Sequence, residues 1–260
     1  MKKLLLIASA LLAFTFFGCN QPGGTPAQSG ATTQYTTIKA TAKYGGPEWE
    51  VENDWDSIKF DDSNWDNAQK APNPHGELRL CEVEPIVQRG ELKPISIIKC
   101  SDGYIYDFGV NDAGVCKLSI KGEKGQKILL QHFEKIVDGK PFLNNIKFTL
   151  DQRFQEDEYI CSGNGEEVHV PKFTYHGFRY VYVTGITEKQ ANEELLTFLL
   201  LSSDVKVIGS FESSDVVVNK IQEATVRSDI SNFYYFPTDC PQREKNGWTG
   251  DGHLAIETAL

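Results

Sequence analysis

The chain has 260 residues, 40% of them hydrophobic and 11% aromatic, and a formal net charge of −10. This is enough apolar material for one large domain or two moderate ones, and it excludes disorder as the global state. The acidic balance argues against nucleic acid or an anionic membrane surface as partner and leaves neutral ligands such as sugars open.

Lys2 and Lys3 precede an apolar run from Leu4 to Phe17, which ends in Gly18-Cys19. The run is shorter than the roughly 20 residues that a membrane-spanning helix needs, so it reads as a signal peptide. Gly-Cys at its end resembles a bacterial lipoprotein cleavage site, with Cys19 as the lipidated residue. The expected location is therefore periplasmic or cell-surface, with membrane contact only through that anchor. Residues 20–33 are rich in Pro, Gly, Ser and Thr without hydrophobic periodicity and read as a flexible linker.

Residues 34–93 form a β-rich module carrying Trp49, Trp55 and Trp65 among Asx-rich turns. Asp62-Ser63-Asn64-Trp65-Asp66 begins like a calcium loop, but Asn67 and Asn73 stand where Gly and Glu are required. An Asx-rich turn with a packed tryptophan is the better reading.

From 94 to 208 the pattern is that of strands: Tyr104–Phe108, Val115–Ile120, Lys127–Phe133, Phe173–Val183 and Leu195–Leu201. Lys121-Gly122-Glu123-Lys124-Gly125 reads as a hairpin turn between two of them. Phe173–Val183 is apolar on both faces, which places it inside a sandwich. The expectation is an antiparallel β-sandwich. Of the cysteines beyond Cys19, Cys81, Cys100, Cys116, Cys161 and Cys240 lack Cys-x-x-Cys spacing and read as free, buried thiols.

The period changes after Phe211. Ser213-Ser214-Asp215 reads as an N-cap region, and Val218, Ile221, Val226 and Ile230 continue a helical face to about Asp229. Leu254–Leu260 opens a second helix. One and a half helices cannot bury their own faces, so residues 209–260 read as the start of a larger helical domain and the chain as part of a longer protein.

Between the two helices lies Pro237-Thr238-Asp239-Cys240-Pro241-Gln242-Arg243-Glu244-Lys245-Asn246-Gly247-Trp248-Thr249-Gly250-Asp251. Its prolines and glycines predict a shaped loop. Asp239, Glu244 and Asp251 could converge on one small polar ligand, and Trp248 could offer it an apolar plane. Glycosidic hydrolysis needs a protonated carboxyl for the leaving oxygen and a second carboxylate opposite it. From spacing alone, a solvated acidic loop accounts for the same residues. His75, His132, His169, His176 and His253 are scattered without metal-ligand spacing, so neither a metal site nor a cofactor is expected.

This segment resembles the catalytic signature of bacterial α-L-rhamnosidases, glycoside hydrolase family 78. Tyr106-Asp107-Phe108-Gly109-Val110-Asn111-Asp112-Ala113-Gly114 and the run Phe173–Gly185 resemble the two ends of that family's concanavalin-like sandwich. The resemblance spans roughly 92–260. Phe60–Ala68 more weakly resembles the sugar-binding-type sandwich that often precedes it.

The resemblance implies that 209–260 begins an (α/α)6 catalytic barrel acting with inversion on a rhamnose-containing glycoside or polysaccharide. It makes Glu244 the general acid, Asp239 and Asp251 the residues that hydrogen-bond rhamnose hydroxyls, and Trp248 the ring packed on the sugar. Arg243 is a neighbour for a hydroxyl or a carboxylate. The family's general base is a glutamate further downstream, so this chain by itself is expected to be inactive. Two other readings stand beside this one: a non-catalytic carbohydrate-binding lipoprotein, and an inverting glycosidase with different sugar specificity.

Overall fold

The computed structural model describes residues 58–67, 69, 76–77, 79–146 and 155–259. The signal peptide, Cys19, the linker, Trp49 and Trp55 lie outside the described residues. Numbered in chain order, the first strands are β1 (Ile86–Leu92), β2 (Ser96–Lys99), β3 (Tyr104–Lys121), β4 (Lys127–Phe133), β5 (Lys135–Val137) and β6 (Lys140–Phe142). Then come β7 (Glu156–Ile160), β8 (Glu166–His169), β9 (His176–Thr184) and β10 (Leu196–Ser203). Helix α1 (Val216–Ser231), the short pair β11 (Phe233–Tyr234) and β12 (Phe236–Pro237), and helix α2 (Thr249–Ala259) complete the order.

The described residues are mostly antiparallel β, as expected. A curled sheet runs β1-β10-β3-β9-β4-β7, and β2 and β8 are additional partners of β3. β3 organises it. The sequence suggests two strands here, but Tyr104–Lys121 is one 18-residue strand. Its first part pairs with β2 and β9, and its second part with β10 and β8. The sheet also takes in β1, upstream of the expected boundary at 93/94, through its pairing with β10.

The register of β3 against β9 jumps between Asp107 and Asp112, so β3 carries a bulge. Two aspartates hold it. Asp107 accepts from the Gly109 amide (2.7 Å) and, through both carboxylate oxygens, from Arg179 (2.8 and 2.9 Å). Asp112 accepts from Arg89 and from the Ala113 amide, each at 2.7 Å. The hydrogen bonds from Arg179 hold the Asp107 carboxyl below its ordinary pKa.

Lys121–Gly125 does not close a hairpin. β3 and β4 are both partners of β9, which lies between them. The turn instead bonds the end of β7: the Gly125 amide donates to Cys161 O, and the Cys161 amide to Gln126 O, each at 2.8 Å. β9 is hydrogen-bonded to β3 along one edge and to β4 along the other. Its Phe178 stacks on Phe198 of β10 with ring centroids 3.9 Å apart, and Phe108 meets both rings edge-on. These rings lie in the main core with Leu118, Ile128 and Val181.

The Asx-rich turn is present: Ser63 N donates to Asp61 Oδ1, and Trp65, half-buried, packs on Phe60 with centroids 5.1 Å apart. The described cysteines are free, but only Cys116 and Cys161 are buried; Cys100 and Cys240 are half-buried and Cys81 is exposed. Asp215 caps α1 as expected, accepting from the Val217 amide at 2.8 Å. α2 begins at Thr249, five residues before the expected start, so Asp251 lies in its first turn and not in a loop. Among the described residues no helix is long and apolar enough to cross a membrane.

Candidate active site

The segment from Phe233 to Trp248 is laid on the sandwich. β11 and β12 form a tight ribbon around Tyr235, a non-glycine residue at φ 67°. Tyr234 stacks on Tyr175, just before β9, with centroids 3.8 Å apart, and the Tyr235 amide donates to Ser203 Oγ at 2.8 Å. Thr238 donates twice to Asn232 O, from its amide (2.7 Å) and its hydroxyl (2.9 Å).

Pro241 then crosses β9 at Gly177. A Cβ on Gly177 would lie 2.6 Å from Pro241 Cγ and 2.9 Å from Gln242 N, so the loop needs a glycine beneath it. Lys245, in the left-handed region at φ 55°, reaches down to donate to Tyr175 O at 2.6 Å, with its ammonium 4.6 Å from the Tyr175 ring centroid. Burial pushes the Lys245 ammonium down to about 8, against the opposing pull of Asp157.

Asp239 holds the loop to itself. Its Oδ1 accepts from the amides of Cys240 and Asn246, each at 2.9 Å, and its own amide donates to Asn246 O. Glu244 follows in the turn so formed, its amide toward Cys240 Sγ at 3.4 Å. The Glu244 side chain is 18% exposed, with the Arg243 guanidinium 3.5 Å from Oε1. The Trp248 indole N–H donates to Oε2 at 3.3 Å. Glu244 is thus a largely enclosed carboxyl between a cation and an N–H donor. Trp248 is half-exposed, which leaves a ring face open to a ligand.

The expected site residues fall into two groups. Glu244, Arg243 and Trp248 are in mutual contact through Glu244. Asp239 and Asp251 line a cleft of about 360 Å³ with Phe233, Thr238, Gly252 and Leu254. Asp251 reaches that cleft because α2 starts early. A neighbouring cleft of about 420 Å³ runs from Asp239 and Gln242 to Arg227 of α1 and to Asn111 and Asp112 of the β3 bulge. The bulge therefore shapes one wall beside the acidic segment.

The reading of the histidines as scattered is overturned for two of them. His132 of β4 and His176 of β9 meet Asp157 of β7, with one possible donor atom from each all within 4.8 Å. Sequence reasoning missed this group and Lys245. A signal existed for His132, which continues the inward face of Ile128 and Leu130 at a spacing of two.

A family model described as the bacterial α-L-rhamnosidase concanavalin-like domain matches residues 99–202. One described as the bacterial α-L-rhamnosidase six-hairpin glycosidase domain matches 206–260. An α-L-rhamnosidase of Formosa agariphila is 34% identical over 223 residues, covering 84% of this chain and 23% of the relative. One of Streptomyces avermitilis is 32% identical over 209 residues, covering 79% and 20%. The solved structure of α-L-rhamnosidase from Dictyoglumus thermophilum superposes with a TM-score of 0.69 at 35% identity, covering 77% of this chain and 23% of that one. The Streptomyces avermitilis structure complexed with L-rhamnose gives 0.71 at 30%, covering 79% and 20%. The chain spans about a quarter or less of the length of these relatives.

Proposed function

The chain belongs to the bacterial α-L-rhamnosidase family, and from that membership we propose that it supplies the acid-bearing part of an exported, inverting α-L-rhamnosidase. Terminal α-L-rhamnosyl linkages of a glycoside or polysaccharide are the substrate. Glu244 protonates the leaving oxygen. Asp239 and Asp251 hydrogen-bond the sugar hydroxyls from their shared cleft, and Trp248 packs on the apolar face of the 6-deoxy ring. Arg243 orients the Glu244 carboxyl.

The observation that carries this reading is the position of Glu244, enclosed between Arg243 and Trp248 in the loop that Asp239 closes. Arg243 and Trp248 fix the orientation of that carboxyl toward a bound substrate. Inversion needs a second carboxyl about 6.5–9.5 Å from the acid, with water between. We assign that base to a part of the enzyme outside these 260 residues, so the chain alone should not turn over substrate. Export and lipidation at Cys19 complete the proposal, supported by Lys2, Lys3 and the apolar run to Phe17.

The test is Glu244→Gln in the full-length enzyme, assayed on an aryl α-L-rhamnoside with anomer analysis by NMR. Loss of general-acid catalysis costs about 10²–10⁴ in rate. A near-wild-type Glu244→Gln enzyme would rule out the acid assignment, and α-L-rhamnose as the first-formed anomer, which reports retention, would rule out the mechanism.

A further inference from the structure

The groups that hold the Glu244 carboxyl, Arg243 and Trp248, belong to its own segment. So do the bonds that close the turn. Lys245 N donates to Cys240 O at 3.2 Å, and Asp239 Oδ1 accepts from the Asn246 amide at 2.9 Å. These contacts settle which way the carboxyl points from its loop, but not where the loop sits on the sandwich. A proton donor must be fixed against a substrate that other parts of the enzyme also hold. An error of about 1 Å there costs roughly a hundredfold in rate.

Two contacts, one on each side of Glu244, join the turn to the sandwich. Before it, Pro241 sits on Gly177 of β9, a non-directional packing contact. After it, Lys245 Nζ donates to Tyr175 O at 2.6 Å and lies 4.6 Å from the centroid of the Tyr175 ring. This is a directed, charge-assisted bond from the residue next to Glu244. Tyr175 is a firm base for it. It is buried in a cluster with Ala113, Val115 and Leu199, and its ring stacks on Tyr234.

Lys245 is a costly residue to use as filling. Burial pushes its ammonium down to about 8, and the field of Asp157 offsets that only in part. Its backbone adds strain, since φ is 55° and the residue carries a side chain. A charge held at such cost adds little to stability, but its bond adds orientation. We propose that Lys245 is a positioning residue for Glu244: its ammonium, docked on Tyr175, fixes the acid-bearing turn against the sandwich in the orientation that proton delivery requires. The proposal rests on the reading of Glu244 as the general acid.

The experiment compares two aryl α-L-rhamnosides on the full-length enzyme. A dinitrophenolate leaves without a proton, whereas an unsubstituted phenol needs one from the acid. Lys245→Met keeps the reach of the side chain and removes the ammonium. Its kcat on the phenyl glycoside should fall by about 10–100-fold with KM little changed, and its loss on the dinitrophenyl glycoside should be much smaller. Equal losses on both substrates, or none on either, would overturn the proposal, because a merely structural defect lowers both alike. Should Lys245→Met fail to fold by circular dichroism, Lys245→Gln takes its place with the same expectations. Glu244→Gln, assayed beside it, must show the same pattern more strongly. If it does not, the acid reading fails and the role of Lys245 with it. If it does while the Lys245 variant loses both activities alike, the assignment of Lys245 alone falls.

Discussion

The sandwich and α1 solve the same problem with opposite results. β10 brings Leu196 and Phe198 to complete burial in the core, whereas α1, sixteen residues long, has Ser231 as its buried residue and leaves Val216, Val217 and Ile221 exposed. The acid-bearing segment lies between these two regions and takes its anchors mainly from the first. Gly177 admits Pro241, Tyr175 receives Lys245 and Tyr234, and Ser203 receives the Tyr235 amide. The lesson is that the position of Glu244 is set from below, by strands, before any helical surface bears on it.

Substitutions should grade along that contrast. Phe198→Ala deletes a ring packed against Phe178 and Phe108 and should lower the free energy of unfolding by about 3–5 kcal/mol in urea titrations. A loss below 1 kcal/mol would mean that the core is not shared as described. Gly177→Ala forces a methyl against Pro241 and the Gln242 amide, which should cost about 1–3 kcal/mol. It should also lower rhamnosidase activity in the full-length enzyme through Glu244. If stability falls and activity does not, the segment is not positioned from below.

Asp107→Asn should act through pH. The Asp107 carboxyl is held below its usual value in the folded state, so its contribution is present above about 3.9, the unfolded value, and is lost as pH falls through the folded one. The variant should be less stable near neutrality and converge on wild type in strong acid. A constant difference across that range would deny the Arg179 pairing. The smallest effect is expected for Ile221→Ser, an exposed position on α1, which should change stability by no more than about 0.5 kcal/mol in this chain.

Much of this was legible in the sequence where the signal is local. Lys127–Phe133 reads as a strand and forms β4 over those same residues. Asp215 announces the start of α1, and the bonds it makes lie within a few residues. Where partners are distant, local reading failed. Gly109 and Gly114 look like strand ends, but Asp107 and Asp112 with two arginines carry β3 through the bulge. Lys121–Gly125 looks like a hairpin because nothing nearby reveals that β9 will enter between the strands. For the site, the residue types in Pro237–Asp251 were readable, but the early start of α2 that brings Asp251 beside Asp239 was not, since Gly250 and Gly252 weaken any helical signal there. The His132–Asp157–His176 group needs the registers of three strands at once, which no spacing rule contains.

The Lys245–Tyr175 contact has a consequence for the order of folding. Its partners are 70 positions apart, so joining them in an open chain would carry the entropic cost of closing a long loop. Once β9 and β10 are paired through β3, Tyr175 and Ser203, the partners of Tyr234 and Tyr235, are already held in one sheet, and the closure that remains, from Ser203 to Tyr235, spans 32 positions instead of 70. The acid-bearing segment is thus the last part of this surface to order, cast against a sandwich that must already have set.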